Sequence, residues 1–264
     1  MVEERVFGAI AGDVIGSVYE NAGIKTTDFP LFTRETTFTD DSVMTAAVAT
    51  ALLERRDYAS VFREFGRRHP RRGYGSYFHN WLSNPSLGPY QSWGNGSAMR
   101  VSPVARAFEA ERRVLEEARR SAEVTHDHPE GIRGAEAVSL AVFLALHGAE
   151  KPEIKNRVAS HSGYALDASV DDIRPAYRFQ ESCQDSVPQS IICFLESNDF
   201  EHAVRLAISL GGDADTMACI AGAIAEAHYG GVPHAIADPV RALLSPDLRD
   251  VLERYEARFP LTNC

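Results

Sequence analysis

Apolar residues recur at three- and four-residue spacing along most of the chain, and sustained apolar–polar alternation is almost absent. The period predicts an all-α protein, with helices over about residues 3–19, 40–56, 58–69, 74–83, 97–108, 112–124, 131–147, 151–160, 185–197, 199–209, 214–229 and 239–257. Asn84-Pro85, Gly88-Pro89, Ser102-Pro103, His128-Pro129, Gly230-Gly231 and Asp238-Pro239 punctuate them. None of these breaks is long enough to be a linker, so residues 1–264 read as a single domain. Asn21 to Phe38 is the longest stretch without helical patterning, and a loop of that length in a compact fold is usually functional or mobile, which makes it a candidate cover for a site.

Composition narrows the class. The chain has 264 residues, enough to bury a large core without disulfides or a structural metal, so any metal site is expected to be chemical. A formal charge of −10 is opposite to that of a dedicated nucleic-acid binder. Cys183, Cys193, Cys219 and Cys264 show no C-x-x-C spacing and read as reduced thiols in a cytoplasm. The acidic start lacks the features of a signal peptide, and no apolar run reaches the ~20 residues that span a bilayer, so neither export nor a membrane partner is expected.

Two predicted helix starts carry the same unusual composition, Thr39-Asp40-Asp41-Ser42 and Asp213-Ala214-Asp215-Thr216, the second preceded by Gly211-Gly212. Either alone reads as an ordinary cap, with Thr and Asp satisfying free N–H groups at the positive end of a helix. Together they read differently, because the helices that follow are so rich in alanine that both should be central. Four carboxylates meeting deep in a fold would repel one another and suffer desolvation unless divalent cations neutralised them. Such hard oxygen ligands select Mg²⁺ or Mn²⁺ over zinc.

Glu20 ends the predicted first helix, where a carboxylate opposes the dipole and so has reason for another duty. Gly8, Gly12 and Gly16 recur every four residues in that helix and read as a face for close packing. Gly94-Asn95-Gly96-Ser97 opens a further helix and reads as either a tight turn or a set of N–H groups for an anion. The basic run Arg63, Arg67, Arg68, Arg71 and Arg72 reads as a solvated face or a contact for phosphates. Tyr74, Tyr77, Phe78, Trp81, Tyr90 and Trp93 read mostly as core or rim, one of them a candidate for stacking on a base.

Taken in order, Gly12-Asp13 through Gly16 to Glu20, Thr39-Asp40-Asp41, Gly94 to Arg100, Thr125-His126 with Pro129-Glu130-Gly131, and Gly211 to Thr216 resemble the ADP-ribosylglycohydrolase family, over nearly the whole chain. The resemblance implies a compact orthogonal helical domain with a binuclear metal centre in a central cleft, holding two Mg²⁺ or, in some members, Mn²⁺. It makes Thr39, Asp40, Asp41, Asp213, Asp215 and Thr216 the metal ligands, and Glu20 the acid beside the scissile bond, with Asp41 as a second candidate for proton transfer. Gly94, Asn95, Gly96, Ser97, Met99 and His126 become the substrate-binding residues.

The implied reaction is hydrolysis of the N- or O-glycosidic bond between ADP-ribose and a modified protein or small acceptor, releasing ADP-ribose through a transition state of oxocarbenium type. Arginine-linked substrates are slightly favoured by analogy with the bacterial nitrogenase-regulating members. Serine-linked, poly-ADP-ribose, O-acetyl-ADP-ribose and nucleobase-linked substrates stay open, the last being the one route by which a nucleic acid would be a partner. So do a two-metal phosphohydrolase yielding AMP and a non-catalytic protein akin to jellyfish crystallins.

Overall fold

The computed structural model describes residues 7–261. In chain order the helices are α1 (Gly8–Gly16), α2 (Asp40–Glu54), α3 (Tyr58–Arg68), α4 (Ser76–Ser83), α5 (Gly96–Met99), α6 (Ser102–Ala107), α7 (Glu111–Glu123), α8 (Pro129–Leu146), α9 (Lys151–Ser162), α10 (Val170–Ile173), α11 (Cys183–Glu196), α12 (Phe200–Ser209), α13 (Ala214–Tyr229), α14 (His234–Leu243) and α15 (Pro246–Arg258). Among the described residues there is no strand, only an isolated bridge between Gly94 and Ser182. No described helix is long and apolar enough to cross a membrane.

The centre is built from helices that are apolar and small on every side. All of α1 is buried, as are Asp41 to Ala51 of α2 and Ala214 to Ala227 of α13. α1 lies against α13 at backbone contact: a Cβ on Gly8 would stand 2.2 Å from the Gly222 carbonyl oxygen, and one on Gly12 would stand 2.0 Å from that of Ala218. Each interior glycine costs about 1 kcal/mol of helix propensity, a cost accepted because any Cβ would separate the two helices. α3, α7 and α12 are amphipathic, presenting one buried face to this centre and charged residues to solvent.

Several expected boundaries shift. Of the segment 3–19, residues 3–6 lie outside the described residues, and the helix stops at Gly16, so Glu20 sits in a following turn closed by Tyr19 N–H donating to the Gly16 carbonyl at 2.8 Å. The expected helix 97–108 is two, broken at Arg100-Val101 ahead of Pro103. The segment 239–257 is also two, because Pro239 is accommodated inside α14 and Pro246 opens α15. The short α10 fell in a stretch without helical patterning. As expected, 21–38 is loop, fastened by Arg205 Nη1 donating to the carbonyls of Thr27 (2.9 Å) and Phe29 (2.8 Å).

Cys183, Cys193 and Cys219 are buried free thiols; Cys264 lies outside the described residues. Three arginines of the run belong to the fold, while Arg68 and Arg71 are exposed. Arg63 donates to the carbonyls of Asn84 (3.1 Å) and Leu87 (2.9 Å), Arg67 to that of Leu82, and Arg72 to that of Phe38, so these side chains fasten the C-terminal end of α4 and the loop before α2.

Candidate active site

The N-termini of α2 and α13 meet, and a cavity of about 380 Å³ opens beside them. Its wall carries Glu20 from the turn after α1, the N-cap Thr39 with Asp40 and Asp41 of α2, and the N-cap Asp213 with Asp215 and Thr216 of α13. Gly94, Asn95, Gly96 and Met99 line it from the segment around α5, and His126 from the residues ahead of α8. The structure therefore brings together every candidate residue except Ser97. That hydroxyl is fully buried and donates to the Gly131 carbonyl at 2.6 Å, so only the backbone of Ser97 is left to serve a ligand.

Capping accounts for little of the acid cluster. Thr39 accepts from Asp41 N–H and caps α2, but Asp213 makes no side-chain cap bond at α13. Instead Asp213 accepts from Asn95 Nδ2 at 2.7 Å, tying the glycine-rich loop to the cluster, and Thr216 Oγ1 donates to Asp41 Oδ2 at 3.2 Å. Asp41 Oδ1 is buried without a hydrogen-bond partner.

Asp13, which sequence reasoning treated only as part of a motif, lies behind these groups and is wholly buried. It accepts from Thr39 N–H (3.0 Å), Thr39 Oγ1 (2.7 Å), Ser42 N–H (3.1 Å) and the Ser42 hydroxyl, and so holds the start of α2 in place. The signal for it was a lone carboxylate in an otherwise apolar, glycine-rich helix. Glu181, also missed, lines the cavity near Glu20; burial first and then the charge of Glu181 raise Glu20 above the ordinary carboxylate range.

Carboxylate oxygens of Asp13, Asp41 and Asp215 lie within 4.8 Å of one another. Burial, reinforced by mutual repulsion, pushes Asp40 up to about 8 and Asp213 to about 7, and raises Asp41 and Asp215 well above the ordinary range. An all-oxygen donor set, a buried oxygen with no partner and strong mutual repulsion fit a hard divalent cation.

A pH dependence follows. Without divalent cations the acid cluster binds more protons in the folded than in the unfolded chain between the ordinary carboxylate value of 3.8 and about 8, so its contribution to stability is greatest below that window and falls as pH rises through it. Melting in chelator should therefore drop from pH 5 to pH 8, and added divalent cation should restore it most at pH 8; a flat profile in chelator would contradict this electrostatic account.

An all-helical fold whose ligand-sized cleft ends in converging carboxylates defines a class, that of helical proteins with hard-cation donors at the end of a small-molecule cleft. The ADP-ribosylglycohydrolase family profile matches residues 2–262. Over 84% of the chain and 81% of the relative, the sequence is 31% identical to ADP-ribosylhydrolase ARH3 of Danio rerio; against the Homo sapiens protein of that name it is 29% identical over 84% of each. The ADP-ribosylarginine hydrolase Tri1 of Pseudomonas putida matches at 30% identity over 52% of this chain and 38% of its own. A solved structure titled ADP-ribosylglycohydrolase-related protein complex superposes with a TM-score of 0.66 at 22% identity, covering 95% of this chain and 96% of the other, and shows the shared fold.

The chain belongs to the ADP-ribosylglycohydrolase family. It is an ADP-ribosylhydrolase, a glycohydrolase acting on ADP-ribosylated substrates with ADP-ribose as product.

Proposed function

We propose that this enzyme cleaves an O-linked ADP-ribosyl bond, serine-linked above all, in the cytoplasm. The preference for arginine drawn from the resemblance is set aside, because relatives aligned over 84% of the chain are of the ARH3 type while the arginine-named relative aligns over only 52%. The observation that carries the reaction class is the convergence of Glu20, Asp40, Asp41, Asp213 and Asp215 in one cavity with the Gly94–Gly96 loop.

Thr39, Asp40, Asp41, Asp213, Asp215 and Thr216 would hold two Mg²⁺, or Mn²⁺, with Asp13 bracing Thr39 and Ser42 from behind. Bound ions would neutralise the cluster and polarise the reacting centre as Lewis acids. Gly96 and the Ser97 backbone offer N–H groups to the diphosphate, Gly94 lines the cavity with its own N–H donated to Ser92 Oγ, Met99 and His126 line the same wall, and Asn95 commits its amide to Asp213. Glu20, half-buried and raised in pKa, is the group placed to take a proton from the attacking water or give one to the departing oxygen, and Asp41 is the second candidate.

Chromatographic product analysis on serine-, O-acetyl-, arginine- and nucleobase-linked ADP-ribose, with and without Mg²⁺, tests this reading. Release of intact ADP-ribose from the serine linkage, lost on chelation, is the expected result. Release from arginine alone would overturn the linkage, and AMP as product would overturn glycosidic cleavage.

A further inference from the structure

Behind the glycine-rich loop a line of buried side chains runs from a permanent cation to the cavity wall. Arg100 is 1% exposed, with its guanidinium 4.5 Å from the centroid of the Phe62 ring. Its Nη2 donates to the Ser121 carbonyl and to Thr125 Oγ1, both at 2.9 Å. Thr125 Oγ1 lies 2.7 Å from His126 Nδ1.

The direction of each bond follows from what each group can do. A guanidinium only donates, so Thr125 Oγ1 accepts from Arg100. An O–H whose oxygen already accepts from a cation is polarised by it and becomes the stronger donor. Thr125 therefore gives its proton to His126 Nδ1, the lone-pair nitrogen of the ring. Burial and the charge of Arg100 hold His126 well below its ordinary pKa, so the ring is neutral and its one proton is on Nε2. Nε2 faces the glycine-rich loop: a Cβ on Gly96 would stand 3.1 Å from it and one on Gly94 would stand 3.6 Å from it. His126 is itself 5% exposed and lines the cavity.

We propose that Arg100 and Thr125 are positioning residues that fix His126 as the neutral Nε2–H tautomer, a hydrogen-bond donor set toward an acceptor oxygen of the ligand's diphosphate. The opposite tautomer would turn a lone pair toward that oxygen and repel it. The identity of the ligand rests on the ADP-ribose reading above, whereas the tautomer rests on the protein alone.

Long-range ¹⁵N–¹H correlation of histidine-labelled protein reads the tautomer directly, with the His126 signals assigned by their loss in His126→Gln. Ligand-free wild-type protein should show the proton on Nε2. Thr125→Val, which removes the hydroxyl at nearly constant shape, should give a mixture of tautomers and weaken ADP-ribose binding about tenfold, the scale of one charge-assisted hydrogen bond; Thr125→Ser should restore both. A wild-type ring protonated on Nδ1, or a Thr125→Val protein with unchanged tautomer and affinity, would overturn the relay. If the tautomer behaves as stated but wild-type protein does not bind ADP-ribose, the ligand assignment and the ADP-ribose reading fall while the relay stands.

Discussion

Replacing Asp215 with alanine is expected to remove turnover, by on the order of a thousandfold or more, while leaving the chain folded. The side chain is 5% exposed and its charge is raised in energy by burial and by Asp213 and Asp13. Deleting one of several crowded carboxylates relieves repulsion, so melting in chelator at pH 8 should hold or rise rather than fall. The stabilisation conferred by added divalent cation should shrink in the same variant, because the cluster has lost a donor. Full activity in Asp215→Ala, or undiminished cation stabilisation, would remove the cation-binding role. Glu20→Gln provides the contrast, since it should lower turnover yet keep both cation stabilisation and ADP-ribose affinity.

Gly12→Ala is expected to be the most damaging small substitution in the core. Alanine favours a helix by about 1 kcal/mol over glycine, yet here the added carbon would stand 2.0 Å from the Ala218 carbonyl oxygen and 2.8 Å from the Cys219 nitrogen, both backbone. No side-chain rotation relieves such a contact, so α1 must move from α13, at a cost of about 3 kcal/mol and a melting temperature roughly 6–12 °C lower. Gly88→Ala, where an added Cβ meets nothing within 4 Å, should leave melting nearly unchanged. Equal effects of the two substitutions would show that the backbone contact is not what sets stability. Because Asp13 rides on α1 and Asp215 on α13, Gly12→Ala should also weaken cation binding.

Much of this arrangement was legible beforehand, for physical reasons that also mark its limits. Helical periodicity located the central helices because each buries a continuous apolar surface, and the paired acids at the starts of α2 and α13 stood out because charge is costly beside so much alanine. Two breaks were not legible: the pattern of apolar positions runs on through Arg100-Val101 and Leu244-Ser245 while the backbone does not. Asp13 was passed over because its partners Thr39 and Ser42 lie 26 and 29 residues away, a proximity that only packing creates. The same holds for Arg63 and Arg67 of α3, whose acceptors are carbonyls exposed where α4 ends.

The glycine-lined seam between α1 and α13 joins segments some two hundred residues apart in sequence, and the acids of both segments meet at it. During synthesis the early carboxylates of α1 and α2 emerge without their later counterparts, so charge crowding is completed only when α13 brings Asp213 and Asp215 to them. Long-range closure of that kind is slow, and the electrostatic resistance falls on it. The ionic content of the compartment thus bears on how readily the newly made chain completes its fold, before any substrate is met.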